Sequence, residues 1–188
     1  MAEHPTGSAA RMIGSSRIET PRLLLVPYSP EQLLALVEEP ARFEELTGFA
    51  AAQVLCDFLV SDDVSPSYLD ELRSSSGEDP WLHGFAVVHR ARGCIVGNGA
   101  FKGPPDAKGM VEIAYRIVPA FADQGIATET AQALVAWAFA VDHVHLVRAH
   151  TRPVENASDR VLSKTGFRWI GEIMDPEDGL IWRWERGR

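Results

Sequence analysis

Cysteine is scarce in this chain: Cys56 and Cys94 are the only two in 188 residues. Two thiols cannot build the disulfide framework of a small secreted scaffold, and without a Cys-x-x-Cys pair there is no zinc-site spacing either. Both are expected to be buried and reduced, which implies a cytoplasmic compartment. Long hydrophobic runs are also missing. No apolar stretch approaches the roughly 20 residues that span a bilayer, so a membrane is not an expected partner. Met1 to Arg17 lacks the apolar block of a secretory signal. Residues 1–17 read as a flexible leader and residues 18–188 as one domain.

Positive charge is in deficit, with 18 Lys and Arg against 26 Asp and Glu and a formal net charge of -8. Nucleic acid binding needs a cationic surface that displaces counterions, so nucleic acid is not an expected partner. The histidines His4, His83, His89, His143, His145 and His150 carry no metal-ligand spacing. His143 and His145 are expected on one side of a strand without a third ligand, and no metal is expected.

What the chain does have is apolar periodicity that changes along its length. Ile18 to Pro27 predicts a strand centred on Leu23-Leu24-Leu25-Val26. Ser29 followed by Pro30 predicts a helix start, with Glu31 to Glu38 as the helix. Ala41 to Val60 reads as one or two helical pieces broken near Gly48, and Ser65-Pro66 opens another through Arg73, followed by a loop from Ser74 to Pro80. Strands are then predicted over His83 to His89, Cys94 to Phe101 and Met110 to Val118. A helix from about Gly125 to Val141 follows, then a strand over His145 to Thr151 and a short helix from Ser158 to Lys164. Phe167 to Met174 and Leu180 to Glu185 form a last strand pair. The order gives an α/β (α+β) layer arrangement on a mostly antiparallel central sheet.

The chemistry concentrates between Val111 and Ala131. A strand ends at Pro119, a short loop passes through Gln124-Gly125, and a helix begins at once. The unpaired amides at such a helix start, with the positive end of the helix dipole, form an anion site. Gly125 lets phosphate oxygens approach the main chain, Ala127 is nearly as small, and Thr128 adds a hydroxyl. Glycine before a helix is common, so the spacing alone leaves an ordinary turn open.

The stretch Ile113-Ala114-Tyr115…Pro119…Gln124-Gly125-Ile126-Ala127-Thr128-Glu129 resembles the acetyl-CoA motif of the GNAT acetyltransferase superfamily. The resemblance extends through Ala149-His150-Thr151 and Glu155-Asn156-Ala157-Ser158 to Gly166-Phe167. It reaches back to Thr20-Pro21-Arg22-Leu23, which is similar to the opening of the ribosomal-protein N-terminal (alanine/serine) acetyltransferase branch. Roughly residues 18–186 are covered. The resemblance implies the GNAT fold, with a splayed central sheet and helices on both faces. It also implies acetyl-CoA as co-substrate and a primary amine, on a protein or peptide N-terminus or a small molecule, as acceptor. Two positions depart from the motif: Ala122 stands where Arg or Gln is usual, and Asp123 puts a carboxylate beside the expected diphosphate. Arg116 and Lys164 are candidates to offset it. These departures raise a second reading, a GNAT-fold protein that binds CoA with little or no turnover.

By the same resemblance the amides of Ile117 and Val118 are expected to bond the pantetheine arm and thioester. Asp123, Gln124, Gly125, Ile126, Ala127 and Thr128 would surround the phosphates, and Asn156 would touch the cofactor. Glu112 is the first candidate for the base that takes the amine proton, against a solvated Glu112 paired with Arg116; Glu172 is a weaker candidate. Ser158 is expected to cap the helix it begins and, by resemblance, stands where it could also protonate the leaving thiolate. Trp182 and Trp184 share one side of the last strand and are expected in the core or at a homodimer surface.

Overall fold

In the computed structural model, which describes residues 17–52, 54–60, 66–176 and 178–188, the stretch from Ile18 to Pro27 is a hairpin and not one strand. β1 (Ile18–Glu19) and β2 (Leu23–Pro27) pair antiparallel. Thr20 makes the turn: its amide donates to the Leu23 carbonyl at 3.0 Å, and its Oγ1 accepts from the Leu23 amide at 2.9 Å. The expected leader, apart from Arg17, and the helix-opening Ser65 lie outside the described residues.

α1 (Pro30–Glu38) starts where Ser29-Pro30 predicts. The Ser29 hydroxyl accepts from the Gln32 amide and the Gln32 side chain accepts from the Ser29 amide, a reciprocal cap. α2 (Pro40–Thr47) ends at Gly48, whose φ of 70° suits glycine. A two-residue strand, β3 (Ala50–Ala51), separates it from α3 (Leu55–Leu59). α4 (Pro66–Ser74) precedes a short α5 (Pro80–His83), capped by Asp79, in place of the expected start of a strand. β4 (Phe85–His89), β5 (Cys94–Phe101) and β6 (Met110–Ile117) follow in antiparallel order. A single 3₁₀ turn (Pro119–Phe121) leads to α6 (Ile126–Phe139). The chain closes with β7 (Leu146–Thr151), α7 (Ala157–Lys164), β8 (Arg168–Asp175) and β9 (Gly179–Gly187). His143 and His145 precede β7 and are not strand residues.

Eight strands form the path β1-β2-β4-β5-β6-β7-β9-β8, and β3 joins β5 off that path. The pairing is antiparallel except for β3 with β5 and β6 with β7. This is the mostly antiparallel α/β sheet that the element order predicts. α6 lies close to the sheet because Gly99 offers no side chain: a Cβ there would sit 3.1 Å from Leu134 Cδ1 and 3.2 Å from Thr130 Cγ2. Leu134 is fully buried, and truncating it to alanine is expected to cost about 2–5 kcal/mol. Cys56 and Cys94 are half-buried free thiols, where full burial was the expectation. Among the described residues no helix is long and apolar enough to cross a membrane.

One irregularity positions the site. β6 and β7 pair only at Met110–Leu146, Val111–Val147 and Glu112–Arg148. Beyond Glu112, β6 stays with β5 as far as Gly97–Ile117, while β7 stays with β9 as far as Thr151–Trp182. Each strand keeps its outer partner and loses its inner one, so the sheet opens as a wedge.

Candidate active site

Two cavities of about 450 Å³ each occupy the wedge. The first lies between the end of β6, the start of α6 and α7; the second lies between β6, β7 and the β8–β9 end. Tyr115 and Ser158 line both. The two spaces therefore meet at those side chains.

The first cavity is built on the β6–α6 junction. Gly125 stands ahead of the helix at φ 76°, a conformation that glycine takes without strain, and no side chain caps α6. The amides of Ile126, Ala127 and Thr128 have no carbonyl to bond within the helix. Asp123, Gly125, Ile126, Ala127 and Thr128 all line this cavity, as do Ile117 and Ser158. So do the cations Arg116, Arg160 and Lys164. The Arg116 guanidinium lies 5.1 Å from the Phe58 ring centroid on α3, which brings an early helix over the groove. Asp123 adopts φ 55° and stands in the same groove as those cations.

Three expected cofactor residues fall elsewhere. Gln124 is held from outside: its side chain donates to the Ala120 carbonyl at 3.1 Å, and its carbonyl accepts from Arg22 Nη1 at 2.7 Å. Val118 is buried, and its amide already donates to the Val96 carbonyl at 2.9 Å. The alternation explains why. Lys102 N bonds Glu112 O on the β5 side, as Val118 N bonds Val96 O, so the amides of the odd residues between them face the wedge. The free pair is Tyr115 and Ile117, one residue back from the expected register. Asn156, in turn, is the N-cap of α7: its Oδ1 accepts from the Ser158 and Asp159 amides, while Asp159 accepts from the Asn156 amide. It lines a separate cavity beside Trp169, Trp182 and Trp184.

That cap also corrects the expectation for Ser158. The helix begins at Ala157, so Ser158 lies inside its first turn and does not cap it. Its hydroxyl has no capping role, and the residue lines both cavities.

Glu112 lines the second cavity. Its Oε1 receives Lys102 Nζ at 2.9 Å and His150 Nδ1 at 3.0 Å, so Arg116 is not its partner. Arg183 Nε donates to His150 Nε2 at 3.4 Å. That leaves the lone pair on Nε2 and the proton on Nδ1, directed at the carboxylate. Partial burial works against the Lys102 charge, but Glu112 outweighs it and holds that ammonium's pKa above its ordinary value. Glu172 is bonded to Trp182 Nε1 at 3.0 Å and lines neither cavity. Trp184 is buried and donates to Thr151, whereas Trp182 is half-buried and edge-on to the exposed Trp169.

The loop that carries Gly125 is braced from the opposite end of the chain. Glu129, in the first turn of α6, accepts from the Thr20 hydroxyl at 2.6 Å, the Arg22 amide at 2.9 Å and Arg22 Nε at 2.7 Å. The same guanidinium holds the Gln124 carbonyl. Partial burial opposes the Glu129 charge, yet the bonds from Thr20 and Arg22 hold its carboxyl below the ordinary glutamate value. The Thr20-Pro21-Arg22 segment thus pairs across the fold with the Gly125-to-Glu129 turn. His150, Lys102 and Arg160 were beyond sequence reasoning because nothing local in the chain announces them.

Residues 22–168 match the family model described as acetyltransferase (GNAT) domain. With the splayed sheet and the glycine-started helix in place, the chain belongs to the GNAT acetyltransferases, the class that uses acetyl-CoA. Among sequence relatives, it is 31% identical over 93 residues to "Uncharacterized N-acetyltransferase YjdG" of Bacillus subtilis (strain 168); the match covers 50% of this chain and 53% of that one, about half the relative's length. A crystal structure of a GNAT-family acetyltransferase from Bacillus anthracis shares the fold at a TM-score of 0.62 and 19% identity, covering 91% of this chain and 98% of that one. RimL, a ribosomal L7/L12 alpha-N-protein acetyltransferase solved in complex with coenzyme A, does so at a TM-score of 0.62 and 15% identity, covering 92% and 98%.

Proposed function

We propose that the protein transfers the acetyl group of acetyl-CoA to a primary amine by direct attack within a ternary complex, in the cytoplasm. The observation that carries this reading is the meeting of two cavities at Tyr115 and Ser158 inside the wedge. One cavity offers unpaired helix amides and three cations to a diphosphate; the other presents a carboxylate, bonded to a histidine, to an amine. The diphosphate of acetyl-CoA sits over the amides of Gly125 to Thr128, and its acyl arm runs up the splayed edge past Ile117 and Tyr115. The acceptor enters beside Glu112. An alkyl amine is mostly protonated near neutral pH, and Glu112 receives its proton directly or through one water. The amine nitrogen then attacks the thioester carbon. Charge builds on the carbonyl oxygen, where the free β6 amides are positioned as donors. Collapse breaks the C–S bond, its electron pair leaves with sulfur, the nitrogen gives up its remaining extra proton through water, and the products are the amide and CoA thiolate.

The acceptor is a protein or peptide N-terminus or a small amine. The second reading, CoA binding without turnover, draws on Asp123 in the groove. Both readings predict a CoA-induced rise in Tm. Release of free CoA thiol across a panel of N-terminal peptides and polyamines, above the rate without amine, supports acetyl transfer. A tight CoA complex with no amine-dependent thiol release supports the second reading, and the absence of any CoA-induced shift refutes both.

A further inference from the structure

A row of side chains crosses the sheet where the wedge opens. Glu112 is the last residue of β6 with a β7 partner, Arg148. Arg148 does not hold it: its Nε and Nη2 both donate to Glu185 on β9, at 2.9 and 2.7 Å. Two residues further along β7, on the same side of the strand, His150 takes that place, with Nδ1 3.0 Å from Glu112 Oε1. His150 is in turn the cross-strand partner of Arg183 on β9, whose Nε lies 3.4 Å from the His150 Nε2. Arg183, His150 and Glu112 therefore span three strands and bridge with side chains the gap that the backbone leaves open. Arg183 lines neither cavity, and among the described residues its guanidinium bonds His150 alone. A guanidinium only donates, so Nε2 offers its lone pair and the imidazole proton sits on Nδ1, directed at the carboxylate. Lys102 reaches the same Oε1, but its side chain is 54% exposed against 12% for His150. The histidine is the fixed partner and the lysine the screened one. With both bonds on Oε1, Oε2 is left for the acceptor.

We infer that Arg183 and His150 are positioning residues for acetyl transfer: Arg183 fixes the His150 tautomer, and the Nδ1 proton then holds Glu112 with its second oxygen toward the incoming amine. The inference rests on the acetyl-transfer reading above. It divides the labour within the second cavity. Glu112 receives the amine's proton; His150, which lines the same cavity, does not, because its one lone pair is committed to Arg183. No covalent bond is made or broken at Arg183 or His150, and each acts through the next residue in the row.

The test reads tautomer and rate on the same proteins. Long-range ¹H–¹⁵N correlation spectra of the imidazoles, at about pH 8 and so above the ordinary histidine pKa, distinguish Nδ1–H from Nε2–H. The His150 signals are those missing from the spectrum of His150→Gln. The wild-type protein is expected to show His150 protonated on Nδ1, and Arg183→Met to move it toward the Nε2–H form. In turnover Arg183→Met is expected to lose about two- to tenfold in kcat, the range for one hydrogen bond, with the Kd for CoA unchanged. Arg183→Lys keeps a charged donor and is expected to retain the Nδ1–H form and recover part of kcat. A wild-type His150 protonated on Nε2, alone or together with Nδ1, overturns the proposal without any variant. A tautomer indifferent to Arg183→Met breaks its first link, and a tautomer that moves while kcat stays put breaks its second. Should CoA affinity fall in step with kcat, the row is a strut for the whole wedge and the positioning role is refuted. Absence of amine-dependent thiol release from the wild-type protein defeats the acetyl-transfer reading itself, and this inference with it, whatever the spectra show.

Discussion

Arg22→Ala is expected to weaken CoA binding although Arg22 lines neither cavity. The guanidinium makes two bonds across the fold, to Glu129 Oε2 and to the Gln124 carbonyl, both at 2.7 Å. The Arg22 side chain is 44% exposed, so its ion pair belongs to the screened kind worth about 0.2–1 kcal/mol. The bond to the carbonyl contributes about 1 kcal/mol net. Together they amount to about 1–2 kcal/mol, which for a chain of this size lowers Tm by roughly 2–8 °C. If that energy holds the Gln124-Gly125 peptide in its bound geometry, its loss raises the Kd for CoA by up to about 5- to 30-fold. Calorimetry with CoA and thermal unfolding of the same samples separate fold from loop. Arg22→Lys is expected to recover only part of the loss, since one ammonium cannot serve both acceptors as the planar fork does. A double-mutant cycle with Glu129→Ala is expected to return a coupling of about 0.5–1 kcal/mol in CoA affinity. If Tm falls as stated while the Kd for CoA stays within twofold, the brace holds the fold but not the phosphate loop, and the reasoning fails.

The Glu129 carboxylate gives a pH signature. Its pKa is lower in the folded state than the ordinary value, so its stabilisation is fully present above that ordinary value of about 4.3 and is lost as the pH falls below it. The Tm gap between the wild-type protein and Glu129→Gln should therefore narrow in acid, and a constant gap down to pH 3 would contradict the assignment. Gly125→Glu should abolish measurable CoA binding by calorimetry, because it adds bulk and charge at a φ of 76°; retained affinity would count against the site. Asp123→Gly should tighten CoA by removing a carboxylate whose repulsion is worth about 1 kcal/mol at 4 Å in water, or about 4 at an effective dielectric of 20; an unchanged Kd would mean that the carboxylate faces solvent. Glu112→Gln should depress kcat most at low pH, where free amine is rarest, and leave the Kd for CoA unchanged; wild-type turnover would reduce Glu112 to a partner of Lys102 and His150.

The parts of this molecule legible in the sequence are those written in short-range pattern. Met110 to Val118 and Gly125 to Val141 predict β6 and α6 to within two residues, because apolar period and Gly125 are local signals. Ser29-Pro30 predicts a cap that forms as expected. The two-residue β3 lies under any periodicity, since it exists only through its pairing with Cys94 and Ile95. Register is the deeper limit. Choosing Ile117 and Val118 as donors required knowing which edge of β6 each amide faces, and that is set by where Val96 meets Val118 across the sheet. Ser158 and Asn156 differ by two positions, and either could cap a helix. The choice fell to Asn156 because Asp159 completes its reciprocal bond.

That choice has a chemical consequence. A serine that caps a helix spends its hydroxyl on backbone amides and has none to offer a ligand. With Asn156 in the cap, the Ser158 amide is satisfied without its own hydroxyl, and the residue lines both cavities together with Tyr115. The sheet does the same with its backbone. β6 gives the amides on one edge to β5 and, past Glu112, leaves the other edge unpaired. Donors withheld from the fold's own bonding, on a strand, in a helix turn and at a helix start, converge on one wedge. Gathered here, these donors form a surface matched to a ligand that carries negative charge at its diphosphate from the outset and at its thioester oxygen during reaction.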